Sequence, residues 1–136
     1  MQTLLATNVR NNFSSVVDTV VREKPVMFKR NRDNIMLMAE SHLLALVQHC
    51  EFKAVFMQED DGTITCKLEG FDLFANAPDQ ELALKDLAHE LIEYAQDYIN
   101  EFQLYYNSKN RKLHFPYILR VLLAQDEDEV QGLINA

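Results

Sequence analysis

The chain has 136 residues, of which 48% are hydrophobic and 25% charged, a balance that is typical of a soluble globular protein and excludes a disordered or fibrous one. Only three glycines and three prolines are present, and the longest apolar runs have five residues, far below the roughly 18 that a membrane helix needs. The net charge of −8 is divided unequally, because residues 1–50 carry six basic and four acidic groups (+2) and residues 51–136 carry seven and seventeen (−10).

Residues 1–50 predict a small β-α-β-β-α unit. Gln2–Ala6 is a short apolar strand, and the hydroxyl of Thr7 is placed to cap the helix that follows. Pro25 ends this helix, and residues 25–39 predict a hairpin with a polar turn at residues 31–34, after which Ser41 caps a second helix. Because fifty residues bury little core, we expect this unit to dimerise. The inward side of the first helix reads, at helical spacing, Phe13, Val16, Val17, Val20 and Val21.

Residues 51–136 predict a β-β-β-α unit with short C-terminal helices, so the fold class is α+β with domains 1–50 and 51–136. The three strands are predicted near residues 52–56, 63–69 and 73–75, and the longest helix begins after Asn76–Asp79. Pro116 and Asp126 open two short helices, the second of which contains Val130, Leu133 and Ile134. The apolar stripe of the long helix comprises Leu84, Leu87, Ala88, Leu91, Ala95, Tyr98, Ile99 and Phe102.

The chemistry of the sequence argues against an enzyme. It contains no glycine-rich phosphate loop and no Gly-x-Ser-x-Gly elbow. His89–Glu93 is similar to a zinc-protease helix, but Glu93 occupies the position of the required second histidine. Cys50 and Cys66 lack metal-ligand spacing and are expected to be buried, reduced thiols. We therefore predict no cofactor and no metal. With no basic signal sequence at the start of the chain, we also expect a cytoplasmic location without a membrane partner.

Two groups of polar side chains in the first unit suit DNA binding. With Thr7 as the cap, Arg10 is predicted in the first helical turn, where free N–H groups and the helix dipole attract phosphate. Arginine and asparagine also read base edges. The bland alternative, that the asparagines only cap the helix and the arginines are solvated, stays open. The candidates are Thr7, Asn8, Arg10, Asn11 and Asn12 near the helix start and Lys29, Arg30 and Arg32 on the hairpin.

These residues carry a resemblance to a known family. The stretch Thr7-Asn-Val-Arg10-Asn-Asn-Phe13-Ser-Ser-Val-Val-Asp18, followed by Pro-Val-Met-Phe-Lys-Arg30 and Ser41-His-Leu-Leu, resembles the Phd/YefM antitoxins over roughly residues 1–50. The resemblance implies a dimeric DNA-binding fold that represses its own operon, with Arg10 and Arg30 as DNA contacts. One departure is the turn Asn-Arg-Asp-Asn, which lacks glycine and leaves its shape and the direction of Arg32 open.

The second unit has a different resemblance. Its strand-strand-strand-helix pattern, with Glu59-Asp-Asp-Gly62 in the first turn and Phe71-Asp-Leu-Phe74 before the helix, is similar to HicB-type antitoxin domains of partial RNase H-like fold. The Gly-Cys element that often precedes the helix in such domains is absent here. Together the two resemblances imply an operator-binding unit followed by a toxin-binding unit, with a homodimer or higher even-numbered oligomer as the assembly.

Charge suggests how a toxin would be bound. Asp86, Glu90, Glu93 and Asp97 recur at 0, +4, +7 and +11 on the long helix, and this acidic ridge would occupy the basic RNA groove of a ribonuclease-type toxin. The alternative is a merely solvated helix face. Phe115 and Tyr117 are further candidate toxin contacts, the alternative being packing onto their own core.

Two other functions stay open at the level of sequence. One is a stand-alone dimeric transcriptional regulator whose second unit senses a ligand or mediates assembly without a toxin. The other is an RNase H-like hydrolase, which would need carboxylates converging on divalent metal from several strands. The ridge lies on one helix and does not meet that requirement.

Overall fold

The computed structural model describes residues 1–136, which divide into two compact units, Met1–Leu46 and Val47–Ala136. We call them the head and the body; the division falls four residues before the predicted boundary. The mixed α+β class is confirmed, with one sheet in each unit. The head contains β1 (Thr3–Leu5), α1 (Ala6–Asn11), α2 (Phe13–Arg22), β2 (Val26–Arg30) and β3 (Asp33–Leu37), with α3 spanning Glu40–Val47.

The head sheet has the order β1-β2-β3, with β1 parallel and β3 antiparallel to β2. Phe28 pairs with Leu4 on one side and Ile35 on the other, so these apolar side chains share one face of the sheet. That face packs against the helices. The head core consists of Val9, Val16, Val20 and Val26.

The single predicted head helix is in fact two helices. Asn12 has φ −126° and ψ 35°, and both its backbone N–H and its side-chain Nδ2 donate to the carbonyl of Asn8 at 3.0 Å. These two hydrogen bonds to one carbonyl end α1, and α2 starts one residue later. Because asparagine readily bonds to nearby backbone, it favours such local breaks over a continuous helix.

The hairpin of the head turns through two residues, Asn31 and Arg32, between the paired residues Arg30 and Asp33. Asn31 adopts a φ of +54°. Asparagine tolerates this left-handed conformation better than other non-glycine residues, so the turn forms without glycine.

The body elements are β4 (Phe52–Gln58), β5 (Ile64–Leu68), β6 (Leu73–Ala77), α4 (Gln80–Asn100), α5 (Phe102–Tyr106), a 3-10 turn (Lys112–His114), α6 (Phe115–Leu122), α7 (Glu127–Gly132) and β7 (Ile134–Asn135). The strands form one sheet of order β6-β5-β4-β7, and the long helix α4 packs on one face of it. Asp79 caps α4 by accepting a hydrogen bond from the backbone N–H of Leu82 at 2.9 Å.

Two predictions at the ends of the body helices are wrong. The long helix ends at Asn100, because Glu101 leaves helical geometry with ψ of 50°; Ile99 is 42% exposed and Phe102 belongs to α5. Ile134 continues no helix but pairs with Phe52 in a parallel strand that adds an edge to the sheet.

Both cysteines are buried and free, as predicted. Burial raises the pKa of the Cys66 thiol, and burial likewise raises that of Cys50 against the opposing effect of Arg120. No helix of the protein combines the length and the apolar character needed to cross a membrane.

Candidate functional site

An open groove of about 650 Å³ in the head brings together three of the predicted DNA-binding residues. Thr7 and Arg10 reach it from α1, and Arg30 reaches it from the end of β2. Arg30 shares a sheet face with Phe28 because side chains two residues apart point the same way. The other lining residues are Ala6, Val9, Phe13, Phe28 and Ile35.

The predicted reason for placing Arg10 is wrong, although Arg10 lies in the groove. Leu5, not Thr7, is the N-cap of α1, and it makes no side-chain cap hydrogen bond. Arg10 lies in the last turn of this six-residue helix, so the positive end of the α1 dipole is not beside it. Strand β1 ends at Leu5 and α1 begins at the next residue, Ala6, so the helix starts one residue before Thr7.

The remaining head candidates lie outside the groove lining. Lys29 points to the opposite face of the sheet from Arg30, since strand side chains alternate. Arg32 is exposed in the turn, and Asn8 and Asn11 are exposed on α1. Asn12 is engaged in the local bond to Asn8 that ends the helix. The sequence alone did not indicate Phe28 and Ile35 as groove residues; they share a face of the sheet because they pair across β2 and β3.

An exposed apolar stripe runs along α2. Of the five apolar positions predicted as inward, only Val16 and Val20 are buried within the protomer. Phe13, Val17 and Val21 are 58%, 38% and 64% exposed and follow one another at a spacing of four residues, on one side of the helix. The prediction that all five face the protomer's own core is therefore wrong, because the small head sheet covers only part of the helix surface.

The acidic ridge of α4 is exposed at all four positions, Asp86, Glu90, Glu93 and Asp97. Its ion contacts are few: Nε2 of His89 lies 3.2 Å from Oε1 of Glu93, in an exposed i,i+4 pair. A surface pair of this kind contributes little to stability. The ridge therefore offers carboxylates that are available to a cationic partner.

Three of the seven basic side chains of the body are occupied internally. The guanidinium of Arg111 lies 5.0 Å from the ring centre of Tyr105, and the ammonium of Lys112 lies 4.9 Å from that of Tyr106. Arg120, largely buried, places Nη2 3.7 Å from Oε1 of Glu129.

Phe115 and Tyr117 belong to the body's own aromatic packing. The Phe115 ring lies 4.9 Å from that of Phe102, and the Tyr117 ring lies 5.6 Å from those of Phe52 and Phe71, with both side chains partly buried. As the alternative in the sequence analysis states, these two side chains pack onto the core of their own unit. The acidic ridge is the better exposed of the two candidate toxin surfaces.

His114 occupies a polar position between two elements of the body. Its Nε2 lies 2.9 Å from the carbonyl oxygen of Gly70, to which it donates, and its Nδ1 then accepts from the hydroxyl of Tyr94 at 2.8 Å. The ring also stacks on Phe71 at 4.3 Å. Burial favours the neutral imidazole and lowers the pKa of His114 from its ordinary value of 6.5; Arg111 adds to this effect, whereas the hydrogen bond to the Gly70 carbonyl and the charge of Asp72 oppose it.

We expect the stability of the body to fall as pH drops below about 6.5. Between the unfolded pKa and the lower folded pKa, the unfolded chain binds more protons, so the free energy of unfolding decreases with falling pH by at most about 1.4 kcal/mol per pH unit. Urea unfolding at pH 7.5 and 5.5 measures this slope. His114→Gln should show a shallower slope, whereas His42→Gln, in the head, should keep that of the natural protein. Equal slopes for all three proteins would contradict this account.

The head thus has a groove lined by two arginines, and the body has an exposed acidic helix face of opposite charge. The whole chain, residues 1–136, matches the family model PHD_like, described as antitoxin of toxin-antitoxin, RelE / RelB, TA system. The chain therefore belongs to this antitoxin family. Its partner is a protein toxin, and an antitoxin is a regulatory protein rather than an enzyme, as the sequence predicted.

A solved structure supports the same conclusion. The crystal structure of a protein from Syntrophomonas wolfei subsp. wolfei, named as an antitoxin part of a proposed toxin/antitoxin system, is 48% identical in sequence. It superimposes with a TM-score of 0.93, covering 100% of this chain and 98% of that one. No curated protein matches the chain.

Proposed function

We propose that this antitoxin binds operator DNA as a homodimer, represses its own operon, and neutralises a basic, ribonuclease-type toxin through its body. The observation that carries the DNA-binding part is the meeting of Arg10 and Arg30 at one groove from two separate elements. Their guanidinium groups suit guanine edges and phosphate, and the Thr7 hydroxyl adds a donor for phosphate. The resemblance of the head to Phd/YefM antitoxins implies the same two arginines as contacts.

The exposed stripe of α2 supports the homodimer. Phe13, Val17 and Val21 leave an apolar line on a small unit whose own core contains only four buried residues. Burying this line against a second head would remove it from water, and each such side chain contributes about 1.5–3 kcal/mol when fully buried. Two heads related by a two-fold axis would also present two grooves, matching the two half-sites of a palindromic operator.

The acidic ridge supports the toxin-directed role of the body, in line with its resemblance to HicB-type antitoxin domains. Ribonucleases bind RNA through basic surfaces. The exposed ridge, on a body with a net charge of −10, would compete with RNA for such a surface electrostatically. The antitoxin family favours this function over a stand-alone regulator without a toxin.

The groove is tested by Arg10→Ala in a gel-shift titration with DNA from upstream of the chain's own gene. If Arg10 reads a base, we expect binding to weaken by about 1–3 kcal/mol, or roughly 5- to 150-fold. Arg22→Ala is the matched control, because Arg22 lies at the far end of α2 and does not line the groove. Equal affinity of the two variants would remove Arg10 from the interface.

A further inference from the structure

The edge of β4 is only partly covered by a neighbouring strand. β7 pairs with β4 at Phe52 and Lys53 alone, whereas β5 pairs with the other side of β4 from Ala54 to Gln58. No strand of the body lies beside the second half of β4 on the β7 side. The sheet therefore has a gap in which one more strand would fit.

The hydrogen-bond pattern shows which backbone groups face this gap. Lys53 accepts from Glu69 and Glu59 donates to Thr63, so the odd-numbered residues of β4 point their backbone groups toward β5. Phe52 donates to the carbonyl of Leu133, so the even-numbered residues point toward β7. The N–H and C=O groups of Phe56 and Gln58 thus face the gap, an arrangement that accepts an added strand.

A cavity of about 490 Å³ lies beside the same edge. The cavity is shallow and open, and Phe56, Leu84 and Ile134 supply its apolar part, which suits one side chain of an added strand, since alternate residues of a strand point to the same face. An open edge with an adjoining pocket is the arrangement by which sheets recognise extended segments, the backbone giving affinity and the pocket specificity.

The charge at the gap favours a basic occupant. Glu81 is the one charged residue that lines the cavity, and Gln80 and Gln131 supply neutral polar groups. Glu59 immediately follows β4 at the open end. A second copy of the chain is a poor occupant, because each body carries a net charge of −10 over residues 51–136 and would repel another.

We propose that an extended, basic segment of the toxin pairs with the open edge of β4 as an added strand, placing one apolar side chain in the adjoining cavity. The inference rests on the toxin partner of the proposed function and adds to it the surface and the form of the bound segment. The acidic ridge would then attract the toxin over a distance, while β4 fixes its position by backbone hydrogen bonds.

Amide hydrogen exchange tests this inference on the natural protein. The probe is the protein encoded by the reading frame adjacent to the gene of this chain. On complex formation we expect exchange at Phe56 and Gln58 to slow at least about tenfold, because their N–H groups become hydrogen-bonded. The matched internal control is Phe74 and Asn76, whose register places their N–H groups on the outer edge of β6. A complex that leaves Phe56 and Gln58 unprotected would overturn the inference.

Two substitutions provide a second measurement. Gln58→Pro removes an N–H from the gap without touching the bonds between β4 and β5, and we expect toxin affinity to fall at least about tenfold. Phe74→Pro removes the equivalent group from the opposite edge and should bind like the natural protein. Should Gln58→Pro fail to fold, Glu81→Lys, at an exposed position of α4, reverses the charge that lines the cavity, and we expect a similar loss. Unchanged affinity of the folded variants would overturn the inference.

The ridge variant Glu90→Lys with Glu93→Lys separates this inference from the proposed function. Its loss of affinity should shrink as salt rises, and slowed exchange at Phe56 should persist in whatever complex still forms. If the adjacent-frame protein binds the natural chain but leaves β4 unprotected, the inference alone fails. If it does not bind the natural chain at all, toxin neutralisation by this partner fails as well. If protection of Phe56 appears with rising concentration of this chain alone, the added strand comes from a second copy, and the inference is wrong.

Discussion

Replacing Val17 and Val21 by lysine is expected to convert the proposed homodimer of the antitoxin into monomers. The two side chains lie exposed on α2, so the protomer should fold normally, whereas an apolar dimer interface would have to bury two new charges. Both protomers carry the substitutions, so the loss of four valine contacts alone, at about 1.5 kcal/mol each, would raise the dimer dissociation constant roughly 10,000-fold. Sedimentation velocity at micromolar concentration measures the change.

Lysine is chosen so that charge and assembly act in opposite directions on DNA binding. Two added cations by themselves strengthen attraction to duplex phosphate. We nevertheless expect weaker operator binding in a gel-shift titration, because a monomer contacts only one half-site. The matched control is Val55→Lys, at an exposed valine on the open face of the body sheet. A dimer that persists in the α2 variant would direct attention to the outer face of the head sheet, where Leu5 and Met36 are exposed.

The sequence predicted the order of strands and helices in the head but not what each helix face contacts. Apolar periodicity identified Val16, Val17, Val20 and Val21 equally, because it records only that a position avoids water. Burial in the protomer separates Val16 and Val20 from the other two, and this separation depends on how much of α2 the three short strands can cover. A helix that faces both its own core and a partner has the same pattern as a helix that faces one broad core.

The groove shows a different limit of sequence reasoning. Arg10 and Arg30 were both identified, yet the argument for Arg10 assumed a Thr7 cap, and the helix begins at Ala6 instead. Element bounds shift by one or two residues with local hydrogen bonds that composition does not reveal, such as the bond of Asn12 to Asn8. Arg10 lies in the groove beside Arg30, but not at the start of a helix as the Thr7 cap required, and its contact with DNA stays a prediction.

In the body, β7 could not be predicted because a two-residue strand has no periodicity of its own. Ile134 was assigned to the last helix for its apolar character, but it pairs with Phe52, far away in the sequence. The open edge of β4 exists because β7 has only two residues, so the sequence could not predict this edge either. By contrast, the exposure of Asp86, Glu90, Glu93 and Asp97 follows from helical spacing, because the buried side of α4 is defined by many residues.

Replacing Tyr98 by alanine is expected to destabilise the body strongly. Tyr98 is 0% exposed, its hydroxyl donates to the carbonyl of Arg111 at 2.7 Å, and its ring packs against the aromatic side chains of α4, α5 and α6. Removal of such a ring costs about 3–5 kcal/mol. Urea unfolding followed by circular dichroism measures the change in the free energy of unfolding.

Tyr98→Phe separates the hydrogen bond from the packing. It keeps the ring but leaves the Arg111 carbonyl without its partner, so we expect a smaller loss of about 1–3 kcal/mol. Because the head has its own core, we expect the operator affinity of either variant to stay within about a factor of two of that of the natural protein. Toxin binding by Tyr98→Ala should fall as the body unfolds. Equal destabilisation by alanine and phenylalanine would show that the hydroxyl, rather than the ring, holds α4 to the aromatic cluster. A loss of operator binding in step with unfolding of the body would instead contradict the independent folding of the head.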